Sequence, residues 1–220
     1  RDMILVYTPI LTRRIEYIFK HILINIIGIK VSFTSKVDEF VSFQGPKFSY
    51  APKRLSNEFY IKSNSILLEQ GFSDIEVEIK LWGDTKCFFY NEKGSIPFDI
   101  FAASFYLISR YEEYLPHLKD NYGRFSYQES IAYKNNFLDD PVVDLWAYKL
   151  KSALISVFPQ ICFENRMYNT KTIIDVPSVY YYKNKGFLRT IGGVFTDLFK
   201  LKPKNIYTRF MVILSLQKDP

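Results

Sequence analysis

The chain has 220 residues, of which 48% are apolar and 24% are charged, and it contains 9 Gly and 10 Pro. This composition is that of an ordinary globular protein and excludes disordered, collagen-like and coiled-coil chains. The net charge is +6, and all of it comes from the last part of the chain. Residues 176–220 hold 8 Lys and Arg against 2 Asp and Glu, whereas residues 1–175 hold 21 of each sign. A nucleic-acid partner is not predicted, since a uniformly basic binder would spread its charge differently.

Aromatic residues make up 18% of the chain, which is about double the ordinary usage. This excess predicts either a core built from Phe or aromatic surfaces that meet a ligand. The two cysteines, Cys87 and Cys162, match neither a disulfide framework nor a zinc pattern, so both are expected to be small buried hydrophobic residues. No uncharged apolar run reaches 18 residues, so no membrane-spanning helix is predicted.

The first 34 residues have the pattern of a β-α-β unit. Residues 3–7 form a short apolar run that predicts a strand, and Thr12 is placed to begin a helix. Gly28 is the expected C-terminal cap of that helix, and residues 30–34 alternate as a second strand does. The helix is expected to bury one face, which consists of Ile15, Ile18, Phe19, Ile22, Leu23 and Ile26.

Residues 40–90 indicate several short strands, expected around residues 48–50, 58–61, 75–82 and 85–90. The last two are predicted to pair as a hairpin, because the turn residues Gly83 and Asp84 lie between them. The glycines of the chain are isolated and match neither GxGxxG nor GxxxxGK, so a nucleotide-binding loop is not predicted.

Two helices are predicted in the middle of the chain, on either side of a polar loop at 116–133. Residues 97–114 are apolar nearly all round, which predicts the central buried helix with Asp99 in its first turn. Asp140 and Pro141 have the pattern of a cap and first turn, for a helix that runs to about residue 158.

The last part of the chain is predicted to contain one strand and two helices. Residues 172–176 have a strand pattern, and residues 187–200 and 206–216 have the pattern of basic amphipathic helices separated by Pro203. A boundary between domains is expected near residues 165–171.

Most residues that could carry chemistry are better explained by a structural role. His21 lies beside the apolar face of the first helix, and His117 is expected to anchor a loop or a helix end. Glu112 and Glu113 are adjacent, so they point about 100° apart on a helix and do not face one substrate together. Arg110 is expected to pair with Glu113. The other acidic pair, Asp139 and Asp140, is explained by capping of the helix that starts at Pro141.

Asp175 is the one candidate catalytic residue. It lies at the end of a predicted apolar strand, and the carboxyl ends of strands are where α/β and barrel folds place their reacting groups. The alternative is a turn residue at the end of the strand, and the pattern favours neither interpretation.

Three segments carry a family resemblance. They read PFDIFAASFYLISRYEEYL at 97–115, DNYGRF at 120–125 and YYYKNKGFLRTIGG at 180–193. Together they resemble the N-terminal portion of bacterial polysaccharide deacetylase-like proteins. Those proteins combine an uncharacterised N-terminal α/β module with a C-terminal carbohydrate-esterase barrel.

The resemblance implies a metal-dependent reaction in the complete parent protein. In that family the first barrel strand ends in an Asp-x-Asp motif, which supplies a catalytic base and a metal ligand that act with a later H-x-x-x-H pair. The matching positions here are Asp175, Val176 and Pro177, so the second acid is replaced, and no H-x-x-x-H follows. We therefore expect no cofactor and no deacetylation in this chain, and a divalent metal only in the complete parent.

The predicted fold class is α/β. A mixed-sheet N-terminal domain with flanking helices is expected over residues 1–165, followed over residues 166–220 by the first strand and helices of a truncated deacetylase-like (β/α) barrel. The predicted function is that of an accessory, non-catalytic region of a protein that acts on cell-envelope glycans. The parent would hydrolyse N- or O-acetyl groups, with Asp175 as the candidate general base. The expected partners are the barrel in cis and a polysaccharide.

Two alternatives stay open. One is a carbohydrate-binding module that stacks exposed Tyr and Trp rings on sugars. The other is an adaptor at a membrane surface through residues 187–216, unless the apolar faces of these helices pack on a further domain. The chain is expected to be a fragment of a longer bacterial protein, because Arg1 and Asp2 precede Met3. No secretory signal is visible, and the compartment, cytoplasmic or envelope-associated, stays open.

Overall fold

The computed structural model describes residues 3–164, 167–175 and 180–219. The chain divides into two compact units, residues 1–167 and residues 168–220. Each unit is described by itself below. Among the described residues, no helix is both long enough and apolar enough to cross a membrane.

The predicted β-α-β unit is confirmed at the start of the first unit. Strand β1 (Met3–Tyr7) leads through Thr12 into helix α1 (Arg13–Phe19), which continues as a π-helical segment, Lys20–Ile26. The Thr12 hydroxyl accepts a hydrogen bond from the Ile15 N–H at 3.1 Å, as an N-cap does. The six residues of the predicted apolar face are all buried. Gly28, with φ of +76°, ends the segment before strand β2 (Lys30–Thr34), which pairs parallel with β1.

A four-stranded parallel sheet is the centre of the first unit. Strands β3 (Lys47–Ala51) and β4 (Phe59–Lys62) extend it, so that the order is β2-β1-β3-β4. In the part of the chain that the structure describes, antiparallel pairing occurs in a separate two-stranded sheet and in two isolated bridges. The four-stranded sheet is parallel, so it is not the mixed sheet that was predicted. Helix α2 (Val37–Ser42), between β2 and β3, was not predicted.

Many of the aromatic residues pack in the core of the first unit. Phe19 stacks on Phe101 with ring centroids 3.6 Å apart, and Phe48 and Tyr50 lie next to them. A smaller cluster on the other face of the sheet includes Phe40 of α2, so helices cover both faces as parallel sheets require. The fully buried large side chains include Phe19, Phe48, Tyr50, Phe88, Phe98, Phe101, Tyr111 and Trp146.

The cysteines do not both follow the prediction. Cys87 is fully buried in the core, as expected, and burial raises the pKa of its thiol to about 11. Cys162 is exposed, so the prediction of a buried residue is wrong there. It lies in a segment without regular structure after the last helix of the first unit, where its neighbours Ile161 and Phe163 contact the core and Cys162 does not.

The predicted hairpin is confirmed, but its strands are shorter than predicted. Strand β5 (Lys80–Trp82) pairs antiparallel with β6 (Thr85–Cys87), and the turn contains Gly83 with φ of +66°. The residues before β5 form no strand. Ile75, Val77 and Ile79 pack partly buried against the core there, which explains the alternation in the sequence.

The central buried helix, α3, extends only over Ile100–Ile108, not over the whole of 97–114. Asp99 is its N-cap and not a residue within the first turn, because the helix begins three residues later than predicted. Arg110 adopts the left-handed conformation with φ of +53°, so the helix stops and a single 3₁₀ turn, Tyr111–Tyr114, follows. The short helix α4 (Ile131–Lys134) lies at the end of the loop predicted to be irregular.

Helix α5 (Val142–Val157) packs on the hairpin. The Trp146 indole N–H donates to the Lys86 carbonyl at 2.9 Å, and the Lys149 ammonium donates to the Trp82 carbonyl at 2.7 Å. The prediction that Asp140 caps this helix is wrong. Pro141 stands at the N-cap and has no side-chain donor or acceptor, so no capping bond from a side chain forms.

The second unit contains helix α6 (Phe187–Phe199) and helix α7 (Pro203–Ile213). Pro203 is the first residue of α7, where proline is well tolerated, instead of a separator before it. The predicted strand at 172–176 is not formed over residues 172–175, which have no regular structure. A single strand without neighbours has no ladder of hydrogen bonds to hold it. Val176 and Pro177 lie outside the described residues.

Candidate functional site

A groove beside helix α3 gathers six ionisable side chains of the first unit. Its volume is ≈ 350 Å³, and we call it the loop groove because residues 112–135 form one side of it. Its polar lining comprises Asp74, Tyr106, Glu112, His117, Glu129, Lys134 and Asn135.

Glu112 is half-buried in the lining of the groove. Its carboxylate accepts the Ile131 N–H at 2.9 Å, at the first residue of α4. Burial raises the pKa of this carboxyl, and the Ile131 N–H opposes that rise. Glu113 instead pairs with Arg110, as predicted, and does not line the groove. The two carboxylates therefore have different surroundings, as the prediction that they point apart requires.

His117 is held in place by the backbone. Its Nδ1 lies 2.8 Å from the Leu115 carbonyl oxygen. Because a carbonyl only accepts, Nδ1 donates and the proton sits on that nitrogen. Nε2 is then a hydrogen-bond acceptor when the ring is neutral. The ring also meets Phe125 edge to face, with centroids 4.9 Å apart. This geometry is that of the loop anchor predicted from the sequence.

A tight turn brings Phe125 to the groove. The Asp120 carboxylate accepts the N–H groups of Tyr122 at 2.8 Å and of Arg124 at 2.9 Å. Gly123 supplies the φ of +75° that this turn needs. Lys119 and Phe125 then pair as an isolated antiparallel bridge. The motif DNYGRF is thus a turn that sets the position of one wall of the groove.

The groove offers both donors and acceptors next to apolar and aromatic walls. Burial and the nearby Glu112 raise the pKa of Tyr106, so its phenol stays protonated and can donate. The Lys134 ammonium is paired with Glu129 at 2.9 Å. Alternating donors and acceptors beside rings suit a ligand rich in hydroxyl or amide groups.

The sequence did not identify Tyr106, Asp74, Glu129 or Lys134 as site residues. Tyr106 was assigned to the core, and it is indeed 4% exposed while still lining the groove. The other three come together because the loop after Tyr114 folds back on α3. No periodic signal in the sequence reports such a fold-back, and only the motif strings at 97–115 and 120–125 mark the region.

Asp99 has a perturbed pKa but a structural role. It is fully buried beside a smaller cavity of ≈ 230 Å³ near the end of β4. Burial raises the pKa of its carboxyl to about 6. Its oxygens accept from Tyr50, Asn64, Phe101 and Ala102, at distances from 2.6 to 3.1 Å. These four donors engage both oxygens, so the carboxylate links β3, β4 and α3.

The other residues considered from the sequence belong to other parts of the chain. Asp175 is exposed and in no regular structure, in the second unit. His21 lies in the π-helical segment, with its ring stacked 6.3 Å from that of Tyr17. Among the described residues, no group of three or more His, Cys, Asp or Glu side chains is placed to hold a metal ion.

Comparison with known proteins gives a family for the first unit. Residues 4–159 match the model of a family of unknown function, DUF7033. No curated protein and no solved structure matches the chain. The matched residues include all strands of both sheets, helix α3 and the whole loop groove. The chain belongs to the DUF7033 family.

Proposed function

We propose that this chain is the accessory region of a polysaccharide deacetylase-like protein that acts on cell-envelope glycans. In this proposal the first unit holds a glycan segment in the loop groove and is itself non-catalytic. The parent protein would hydrolyse N- or O-acetyl groups with its barrel, and the chain described here would present the substrate.

The observation that carries the proposal is the convergence of two motif strings on one groove. The string at 97–115 supplies Tyr106 and Glu112, and the string at 120–125 supplies Phe125 next to His117. If these motifs served packing alone, their conspicuous side chains would all lie in the core. Here they also place a carboxylate, a phenol and an aromatic ring around a space of ≈ 350 Å³, which admits part of a sugar chain.

The assignment of residues 166–220 to the start of a deacetylase-like barrel belongs to the same proposal. A parallel barrel strand is held by a neighbour on each side. Residues 172–175 would become ordered as a strand only beside those neighbours, with Asp175 at its end. Pro177 stands where the Asp-x-Asp motif of the deacetylase-like proteins has its second acid, so we derive no metal-dependent step from this chain.

The test is the binding of N-acetylglucosamine oligomers to the 220-residue chain, measured by isothermal titration calorimetry. Glu112→Gln keeps an acceptor for the Ile131 N–H but removes the charge in the groove. We expect it to weaken binding about tenfold, because hydrogen bonds to a charged group are worth about 1.5–3 kcal/mol. Glu113→Gln, which alters the neighbouring carboxylate outside the groove, should leave binding unchanged. Equal effects of the two substitutions would contradict the proposal.

The same samples test whether the chain is catalytic. Acetate release from acetylated glycans should be absent with the 220-residue chain in the presence of Zn²⁺, Co²⁺ or Mn²⁺. A longer form that contains the complete barrel should release acetate with the same metals. Acetate release by the 220-residue chain would overturn the non-catalytic assignment.

One observation favours a second way of binding glycans. Phe72 and Tyr114 are both exposed, and their rings stack with centroids 4.3 Å apart and 7° between their planes. Exposed flat rings of this kind can take a sugar ring on their outer faces. If glycans bind there, Tyr114→Ala will abolish binding and Glu112→Gln will not.

A further inference from the structure

Helix α6 of the second unit carries an apolar face that the unit does not cover. Its apolar residues fall within roughly 140° of the helix circumference, at 100° per residue. Phe199 is 86% exposed, Leu188 is 85% exposed and Phe187 is 78% exposed. We call this face the α6 stripe, and it consists of Phe187, Leu188, Ile191, Phe195, Leu198 and Phe199.

The opposite, polar face of α6 makes the contact with α7. The Arg209 guanidinium of α7 donates to the Asp197 carboxylate at 2.6 Å, and both groups are largely buried. A side chain at Gly193 would collide with that guanidinium, so the glycine lets α7 approach. The Tyr182 ring lies 4.7 Å from the same guanidinium. The helical hairpin therefore closes through its polar face, and this arrangement leaves the α6 stripe facing outward.

The charges around α6 are almost all positive. Residues 180–219 hold 8 Lys and Arg against two acids, Asp197 and Asp219. Asp197 is paired with Arg209, and the Asp219 carboxylate accepts the N–H groups of Tyr182 and Lys183, each at 3.0 Å. Cations stand at both ends of the helix, namely Lys183 and Lys185 before it and Lys200, Lys202 and Lys204 after it.

We propose that α6 lies in the interface of an anionic lipid bilayer and holds the protein at a membrane surface. An apolar helix face of about four turns inserts between headgroups, and lysines at its ends meet anionic lipids. The lysines at both ends of α6 favour an anionic bilayer over another protein segment as the surface that covers the α6 stripe. An apolar protein surface would need no cations at both ends of the helix. This inference is independent of the glycan groove, which lies in the other unit. It replaces the assignment of α6 to the barrel, because in a barrel the same apolar face would pack on the strands.

The experiment is cosedimentation of the 220-residue chain with vesicles. We expect binding to vesicles of phosphatidylcholine with phosphatidylglycerol, and at least about tenfold weaker binding to phosphatidylcholine alone, at roughly 1 kcal/mol for each lysine near the surface. The double substitution Phe195→Ser and Leu198→Ser should reduce binding to the anionic vesicles by at least tenfold. The matched control replaces two residues of the first unit that are even more exposed, Leu118 and Tyr122, by Ser, and should not change binding.

A charge variant and a lipid-free measurement complete the test. Lys200→Glu with Lys202→Glu should abolish the preference for anionic vesicles, whereas Lys53→Glu with Lys93→Glu, in the first unit, should not. Equal binding to both vesicle types, or binding that survives the α6 substitutions, would overturn the proposal. So would dimerisation without lipid, seen by sedimentation equilibrium and lost in the Phe195/Leu198 variant, because the stripe would then cover a second copy.

Discussion

At the scale of single residues, one buried carboxylate shows how position decides the role of an acid. Asp99 accepts hydrogen bonds from Tyr50, from the Asn64 N–H and from two N–H groups at the start of α3. Asp140 precedes another helix and was predicted to cap it, but no side-chain capping bond forms there. The two residues look alike in the sequence because each adjoins an apolar helix. Only the tertiary neighbours of Asp99 distinguish them.

We predict that Asp99→Ala lowers the free energy of unfolding by about 3 kcal/mol, because it removes an N-cap and leaves buried donors without an acceptor. Asp140→Ala is the matched control and should change it by no more than about 0.5 kcal/mol. Urea unfolding at pH 7, followed by circular dichroism, measures both. Similar losses in the two variants would show that Asp99 does not have the linking role assigned to it.

The raised pKa of Asp99 predicts a pH dependence of stability. The carboxyl titrates at about 6 in the folded chain and at about 3.9 when unfolded. Between these values the folded state binds more protons, so the contribution of Asp99 to stability grows as the pH falls from about 6 to about 4 and is lost as the pH rises again. The stability difference between the native chain and Asp99→Asn should therefore move in favour of the native chain between pH 7 and pH 4.5. A constant difference would contradict the shift.

At the scale of elements, the apolar pattern of the sequence predicted the parts that pack in the core. The β-α-β start and helices α3 and α5 all have strong apolar patterns, and the structure contains them. Helix α2 was missed because its six residues are too few to show a period of 3.6. The strand predicted at 75–82 forms only at its end, since Ile75, Val77 and Ile79 alternate to pack on the core without a partner strand.

The loop groove shows where prediction from sequence stops. The sequence was enough to separate Glu112 from Glu113, because adjacent residues of a helical turn point in different directions. It did not predict that His117 and Lys134 lie near Glu112. Their positions depend on a loop held by single hydrogen bonds, such as the one from the Ile131 N–H to Glu112. Contacts of this kind leave no repeating pattern in the chain.

The end of the first helix offers a prediction with a close control. Gly28 has φ of +76°, and a Cβ there would collide with the Glu164 backbone, whose N–H donates to the Gly28 carbonyl at 2.7 Å. Gly71 has φ of +84°, but nothing lies near its missing Cβ. Gly71→Ala should cost about 1 kcal/mol for the left-handed backbone alone. Gly28→Ala should cost at least about 2 kcal/mol more, because the chain after α5 must also move. Thermal unfolding of both variants checks the difference, and equal midpoints would contradict it.

At the scale of the whole molecule, the core of the first unit is complete without the second. Every residue of its main buried cluster lies between Ile4 and Ile161. We predict that residues 1–167 alone unfold in one cooperative urea transition. A shorter chain that ends at residue 140 lacks Trp146, Leu150 and Leu154 of α5 and should lose that transition. A gradual, non-cooperative curve for residues 1–167 would show that the second unit is needed for folding.

The segregation of charge along the chain also gives a way to follow its integrity during purification. Residues 1–167 contain 20 positive and 20 negative side chains, whereas the rest of the chain carries the whole excess of +6. At neutral pH the intact protein should be retained by a cation-exchange matrix, and a product cleaved between the two units should appear in the flow-through. The elution position therefore reports proteolysis between the units before any change of mass is measured.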